Sequence, residues 1–212
     1  TIAGRALRAD PLWWLLALGF PAVFVNLGHG QNGFLSAGLL GLALAGLDRR
    51  PVAAGVLFGL LAYKPQLGLM LPLVLLASGR WRTFAAAAIT VVAMVAAVTA
   101  VLGVDVWRAF LASTAVTRQV LLEGGDPGWE KIQTVFAWVS LWGGGVGIAY
   151  AAQAVVTLAI AAALVWLWRA PVRFAWQAAA LAIAVVAAAP FSLDYDMTIL
   201  AIAIAFLAAD GF

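Results

Sequence analysis

Uninterrupted apolar runs alternate along the chain with short polar or glycine-rich punctuation. The runs cover residues 11–27, 33–47, 51–63, 65–77, 84–102, 146–168, 174–189 and 197–209, and several carry no charge at all. In lipid the backbone groups of such a run are satisfied only within the segment, so the pattern predicts helices. A single helix needs about 20 residues to cross a hydrocarbon core of about 30 Å. Runs 84–102 and 146–168 meet that length, whereas 51–63 and 65–77 do not.

Two readings follow for 51–77: one helix kinked at Pro65, or two short helices meeting at Lys64. Asp48-Arg49-Arg50 precedes this stretch and Arg80-Trp81-Arg82 follows it. Cytoplasmic flanks of membrane helices collect Lys and Arg, so both arginine pairs belong on one side. Only a down-and-back pair of short helices allows that, with Lys64-Pro65 at or below the opposite surface. The same parity carries through the chain. Arg5, Arg8, Arg49, Arg50, Arg80, Arg82, Arg169 and Arg173 fall inside, eight of the twelve basic residues. Lys64, Arg108, Arg118 and Lys131 fall outside. The predicted fold is an all-α polytopic transmembrane bundle of about eight helices, some short or broken. It forms a single transmembrane domain over residues 1–212, with loops 29–32, 103–133 and 190–196 on the outer side.

Within 103–133, residues 106–111 read as an amphipathic interfacial helix anchored by Trp107 and Phe110. Residues 124–128 form a turn cluster. Residues 132–142 suit a short dipping helix, ended by Gly143-Gly144-Gly145. Gly55 and Gly59, four residues apart, suit close helix packing.

Composition sharpens this picture. Apolar residues make up 66% of the 212 and charged residues 10%. Soluble domains run at about 45–50% and about 25%, so a soluble enzyme and a disordered chain are both excluded. With no Cys, disulfides, zinc–thiolate sites, iron–sulfur clusters and Cys nucleophiles are excluded too. The net charge of +3 is spread over small separated clusters, which is no nucleic-acid signal. Residues 1–10, with Arg5 and Arg8, do not read as a signal peptide. The chain begins at Thr1 and is expected to be a fragment of a longer membrane protein.

Three clusters hold candidate chemistry. His29, Gln31 and Asn32 lie in Asn26-Leu27-Gly28-His29-Gly30-Gln31-Asn32-Gly33, where glycines let a ligand approach the backbone. The same stretch also suits a plain polar turn between helices. His29 is the single histidine, so a multi-His metal site is impossible within these residues. Lys64-Pro65-Gln66 places a cation at membrane depth, which is costly and points to function. It suits a phosphate, with Gln66 adding a hydrogen bond; the alternative is a lysine snorkelling to the surface. In Pro190-Phe191-Ser192-Leu193-Asp194-Tyr195-Asp196, two carboxylates flank a tyrosine. They suit sugar hydroxyls or a divalent ion, or, for Asp196 above all, a helix N-cap. Paired aspartates alone are a weak metal signal, and no cofactor is called for. Of the tryptophans, Trp13, Trp14, Trp81, Trp166 and Trp168 read as an interfacial belt, while Trp107 and Trp129 remain for ligand contact.

The stretches NLGHGQNGFLSAGLL (26–40), AGVLFGLLAYKPQLGLMLPLVLLASGRWR (54–82), KIQTVFAWVSL (131–141) and PFSLDYDM (190–197) resemble glycosyltransferase family 87 over most of residues 20–209. The GQN and KPQ elements followed by RWR carry the likeness. It implies a GT-C-type membrane glycosyltransferase in the cell membrane, the bacterial inner or plasma membrane, with its site on the extracytoplasmic face. The implied partners are the bilayer, a polyprenyl-phosphate donor carrying a hexose such as mannose, and a glycan or glycolipid acceptor. The family's base, typically an aspartate in the first outer loop, is expected upstream of Thr1. Lys64 would meet the donor phosphate, and His29, Gln31, Asn32, Gln66, Asp194, Tyr195 and Asp196 would line the substrate site. A transporter or flippase of polyprenyl-linked glycans, which predicts inverted repeats not found here, and a non-catalytic membrane subunit are the rival classes.

Overall fold

A computed structural model describes Leu15, residues 17–126 and residues 128–211. Arg5, Arg8, Trp13, Trp14 and Pro127 of the reading above lie outside the described residues. Among the described residues the chain is all-α: α1 (Pro21–His29), α2 (Gly33–Gly46), α3 (Pro51–Leu60), α4 (Leu71–Ala77), α5 (Trp81–Leu102), α6 (Asp105–Thr117), α7 (Val135–Leu141), α8 (Val146–Arg169), α9 (Phe174–Ala187) and α10 (Leu200–Ala209). Two of these, α5 and α8, are long and apolar enough to cross a membrane by length and composition. The only buried residue of α5 is Thr83, and Ile89, Val92 and Val101 are exposed. That exposure is what a lipid-facing helix requires.

The 51–77 stretch folds as two short helices. After α3, Leu61–Tyr63 and Pro65–Gly68 are single 3₁₀ turns on either side of Lys64, and α4 then returns. Asp48, just before α3, accepts a hydrogen bond from Arg80, just after α4, at 2.6 Å. A continuous 27-residue helix would hold these ends about 40 Å apart, so the chain goes down and comes back. Gly55 and Gly59 let α3 lie directly on α5: a Cβ at Gly55 would stand 2.6 Å from that of Ala86, and one at Gly59 2.6 Å from that of Thr90. The two helices therefore run in parallel from the arginine end. By this register Lys64 sits roughly 10 Å short of the far end of α5.

The main core joins α2, α3, α4, α9 and α10 through Leu40, Leu44, Phe58, Val74, Leu181 and Ala203, with Leu61, Leu67 and Ile199 added from the 3₁₀ segments. A smaller cluster of Leu122, Ile132, Phe136, Ala137 and Ala149 anchors the 118–134 region to α7 and α8. Gln153, inside the apolar α8, accepts from Phe136 N–H at 3.1 Å and donates to Ala187 O at 3.1 Å, tying three helices together.

Several boundaries differ from the hydrophobic pattern. The 11–27 run is interrupted at Gly19-Phe20, and Pro21 restarts the chain as the first residue of α1, where its missing N–H costs nothing. The 103–133 segment is mostly helical: α6 continues into a π-helical turn, Arg118–Glu123, because nothing breaks it before Gly124-Gly125. The last run opens with a 3₁₀ segment, Asp194–Ile199, before α10. Trp168 is 4% exposed and is a core residue, not a belt residue. Its ring meets Phe174 edge-on at 6.2 Å and lies 5.9 Å from the Arg80 guanidinium. Trp81 and Trp166 are exposed.

Candidate functional site

The arginine end collects ion pairs. Arg80 meets Asp48, Arg173 donates to Asp210 at 2.8 Å, and Arg169 reaches the Ala77 carbonyl. At the opposite end the polar segments converge. The 3₁₀ segment Asp194–Ile199 packs against α1, α2, α9 and α10, which brings the last of the three candidate clusters against the first two.

At its centre Lys64 Nζ donates to Asp196 Oδ1 at 2.7 Å. The two are 12% and 2% exposed, so the pair is withdrawn from bulk solvent. The Tyr195 ring centroid lies 4.5 Å from the same ammonium. Asp196 also accepts the Leu193 N–H at 3.2 Å through its other oxygen, so it caps the 3₁₀ segment and pairs with Lys64 at once. Burial and the carboxylates of Asp196 and Asp194 push the Tyr195 hydroxyl up to about 12. Lys64 is held where it is because Pro65 starts the next turn and the break leaves it at the end of two short helices.

Asn26 organises the rim. It is 1% exposed, accepts the Gly33 N–H at 2.8 Å, and donates to Tyr195 O at 2.7 Å and Ala22 O at 3.1 Å. A side chain at Gly33 would strike this amide. Gly30 ends α1 in the left-handed conformation at φ 60°, and its N–H caps the Asn26 and Leu27 carbonyls. The loop that follows reaches the lysine cluster through its backbone: Tyr63 donates to Asn32 O at 3.4 Å and shares a 2.5 Å hydrogen bond with Ser36.

The candidate residues separate accordingly. Lys64, Tyr195 and Asp196 form one cluster. Asn32 touches none of the three: its carbonyl accepts from Tyr63, the residue before Lys64, while its side chain, like those of His29 and Gln31, is exposed. Gln66 is half-buried next to Lys64, and its side chain makes no hydrogen bond among the described residues. Asp194 is half-buried and accepts the Tyr195 N–H at 2.8 Å, so the two aspartates do separate jobs. No three His, Asp or Glu side chains gather to hold a metal among the described residues. Trp107 donates to Thr99 and Trp129 to the Leu122 carbonyl. Trp129 also borders a cavity of about 350 Å³ with Gln133, Thr134 and Trp138.

Asn26, Ser36, Tyr63 and Thr198 border the candidate cluster and were not among the candidate residues. Asn26 carried a signal: it is a polar residue within an apolar run, one residue from its end, where an unsatisfied amide would be costly.

Among the described residues the chain is thus all-α, with two helices long and apolar enough to cross a membrane and a polar cluster where short helices break. The model of glycosyltransferase family 87 matches residues 1–192, and the chain belongs to that family. It is therefore a membrane glycosyltransferase, acting on a sugar donor and an acceptor. The match includes His29, Gln31, Asn32, Lys64 and Gln66 and stops just before Asp194, Tyr195 and Asp196. No curated protein and no solved structure matches the chain.

Proposed function

We propose that the protein transfers a hexose, mannose in the first instance, from a polyprenyl-phosphate donor to a lipid or glycan acceptor on the extracytoplasmic face of a bacterial plasma membrane. The buried Lys64–Asp196 pair, recessed where two short helices meet, carries this reading. The acceptor hydroxyl attacks the anomeric carbon and gives its proton to a carboxylate base. The bond from that carbon to the phosphate oxygen breaks with inversion, and the lipid phosphate leaves with the electron pair. An ammonium has three donors. One is committed to Asp196, and the others serve the leaving oxygen as its charge grows. Asp196 positions Lys64. Gln66 and the His29–Asn32 loop border the phosphate and sugar, with Asp194 and Tyr195 on the opposite wall. The polyprenyl chain stays in the bilayer, which suits a site where short helices break between longer ones.

Lys64→Met keeps the stem and deletes the charge. Sugar transfer by purified full-length enzyme from polyprenyl-phosphate mannose should fall by about 10²–10³-fold with insertion unchanged, since loss of one such donor typically costs that much. Lys64→Arg should recover only part, because a guanidinium is larger and prefers forked contacts. Transfer by Lys64→Met within about threefold of wild type would sink this role. The orientation is tested separately in the Cys-free background, by single cysteines in 103–133 and 190–196. They should label from outside only; outside labelling beside Arg49 or Arg80 would reverse the proposed eight-helix topology.

A further inference from the structure

A groove of about 840 Å³ runs beside the last turns of α8, far from the lysine cluster. Leu73 of α4 and Ala161, Ala162 and Val165 of α8 form its apolar wall, and Trp166 and Arg169 stand at its mouth. The α8 residues recur at 161, 162, 165, 166 and 169, one face of a helix about 12 Å long. The alanines leave a trough between Leu73 and the bulkier Val165. Trp166 is 69% exposed, the posture of an indole at headgroup level. Arg169 follows one turn later and is exposed. Its only hydrogen bond among the described residues is a long one from Nε to the Ala77 carbonyl, and it has no carboxylate partner there, unlike Arg80 and Arg173. An apolar trough, an interfacial indole and an uncommitted guanidinium thus follow one another along one helix face. That order matches an acyl chain, a glycerol backbone and a phosphate.

We propose that this groove is a binding site for an anionic phospholipid, its acyl chain along Ala161–Ala162 and its headgroup phosphate on Arg169. Arg80 and Arg173 are neutralised by Asp48 and Asp210, so Arg169 is the cation left for the headgroup to neutralise, which favours a lipid of net negative charge over a zwitterionic one. The site needs no sugar or donor and is independent of the transfer reaction; the orientation proposed above decides only that the inner leaflet supplies the lipid.

Native mass spectrometry of the full-length protein, delipidated and then offered phosphatidylglycerol or phosphatidylcholine with identical acyl chains, tests it. Wild type should retain phosphatidylglycerol about fivefold better, the weight of roughly one surface cation. Arg169→Gln should abolish that preference while leaving weak retention of both lipids. Ala162→Trp, which fills the trough, should reduce retention of both. A phosphatidylglycerol carrying a photoreactive acyl chain should label the stretch around Ala161–Arg169. Equal retention of the two lipids by wild type overturns the proposal, a result that needs no variant to fold. So does a preference that survives Arg169→Gln, one lost equally in Arg82→Gln, which would mean diffuse charge, or labelling confined to other helices.

Discussion

The two ends of the bundle hold the same kind of ion pair in opposite settings. Lys64 and Asp196 are 12% and 2% exposed, and both ions are tied into further polar groups. Arg80–Asp48 and Arg173–Asp210 leave one partner of each pair mostly in solvent, with Asp48 63% and Arg173 66% exposed. A pair in solvent costs little to make and contributes little, whereas a buried one carries a desolvation penalty that only good geometry offsets. The exposed pairs tie the returning ends of helices together. The buried pair is hard to justify as a stabiliser, and its place beneath the polar loops fits a site that must already hold charge when substrate arrives.

The largest test of that contrast is Asp196→Leu. It leaves Lys64 buried without a counter-ion and should cost about 3–5 kcal/mol, read as thermal unfolding of the purified protein in detergent. Adding Lys64→Met should restore most of the loss, because two apolar side chains fill the same space without charge. If the single variant is no worse than an exposed-pair variant, burial of the pair does not matter as argued. Asn26→Leu comes next. It strands the Gly33 N–H, leaves the Tyr195 carbonyl with its bond from Thr198 alone, and should cost about 1–3 kcal/mol. Asn26→Asp, which keeps an acceptor for Gly33 but loses the donor to Tyr195, should not recover it fully. The smallest effect belongs to Asp48→Asn, expected below about 1 kcal/mol and shrinking further in high salt. A loss as large as that of Asn26→Leu would show that the arginine end is more than a surface clasp.

Much of the architecture was legible in the residues. Long charge-poor apolar runs leave the backbone no choice but helix. The arginine pairs at 49–50 and 80–82, with too few residues between them for two full crossings, required a short pair that turns back at Lys64. Gly55 and Gly59 announced a close helix contact, which α5 supplies. The helix boundaries were less legible. Pro21 restarts a helix inside an apolar run, and α6 extends far beyond the few residues whose amphipathic spacing is visible.

Composition and charge spacing therefore determined the helical membrane class, the hairpin at Lys64 and the three polar clusters. Which apolar residues meet protein and which meet lipid was left to the tertiary structure. Lipid tails and a protein interior are equally apolar, so hydrophobic patterning carries no signal for the choice. Trp168 and Trp166 look alike in sequence, yet one is buried under Arg80 and the other is open at the mouth of a groove. The pairing of Lys64 with Asp196, 132 residues away, was decided the same way. Each carries a charge that an apolar interior does not accept unpaired. Only the packing of Asp194–Ile199 between α1, α2 and α10 brings the two to hydrogen-bond distance.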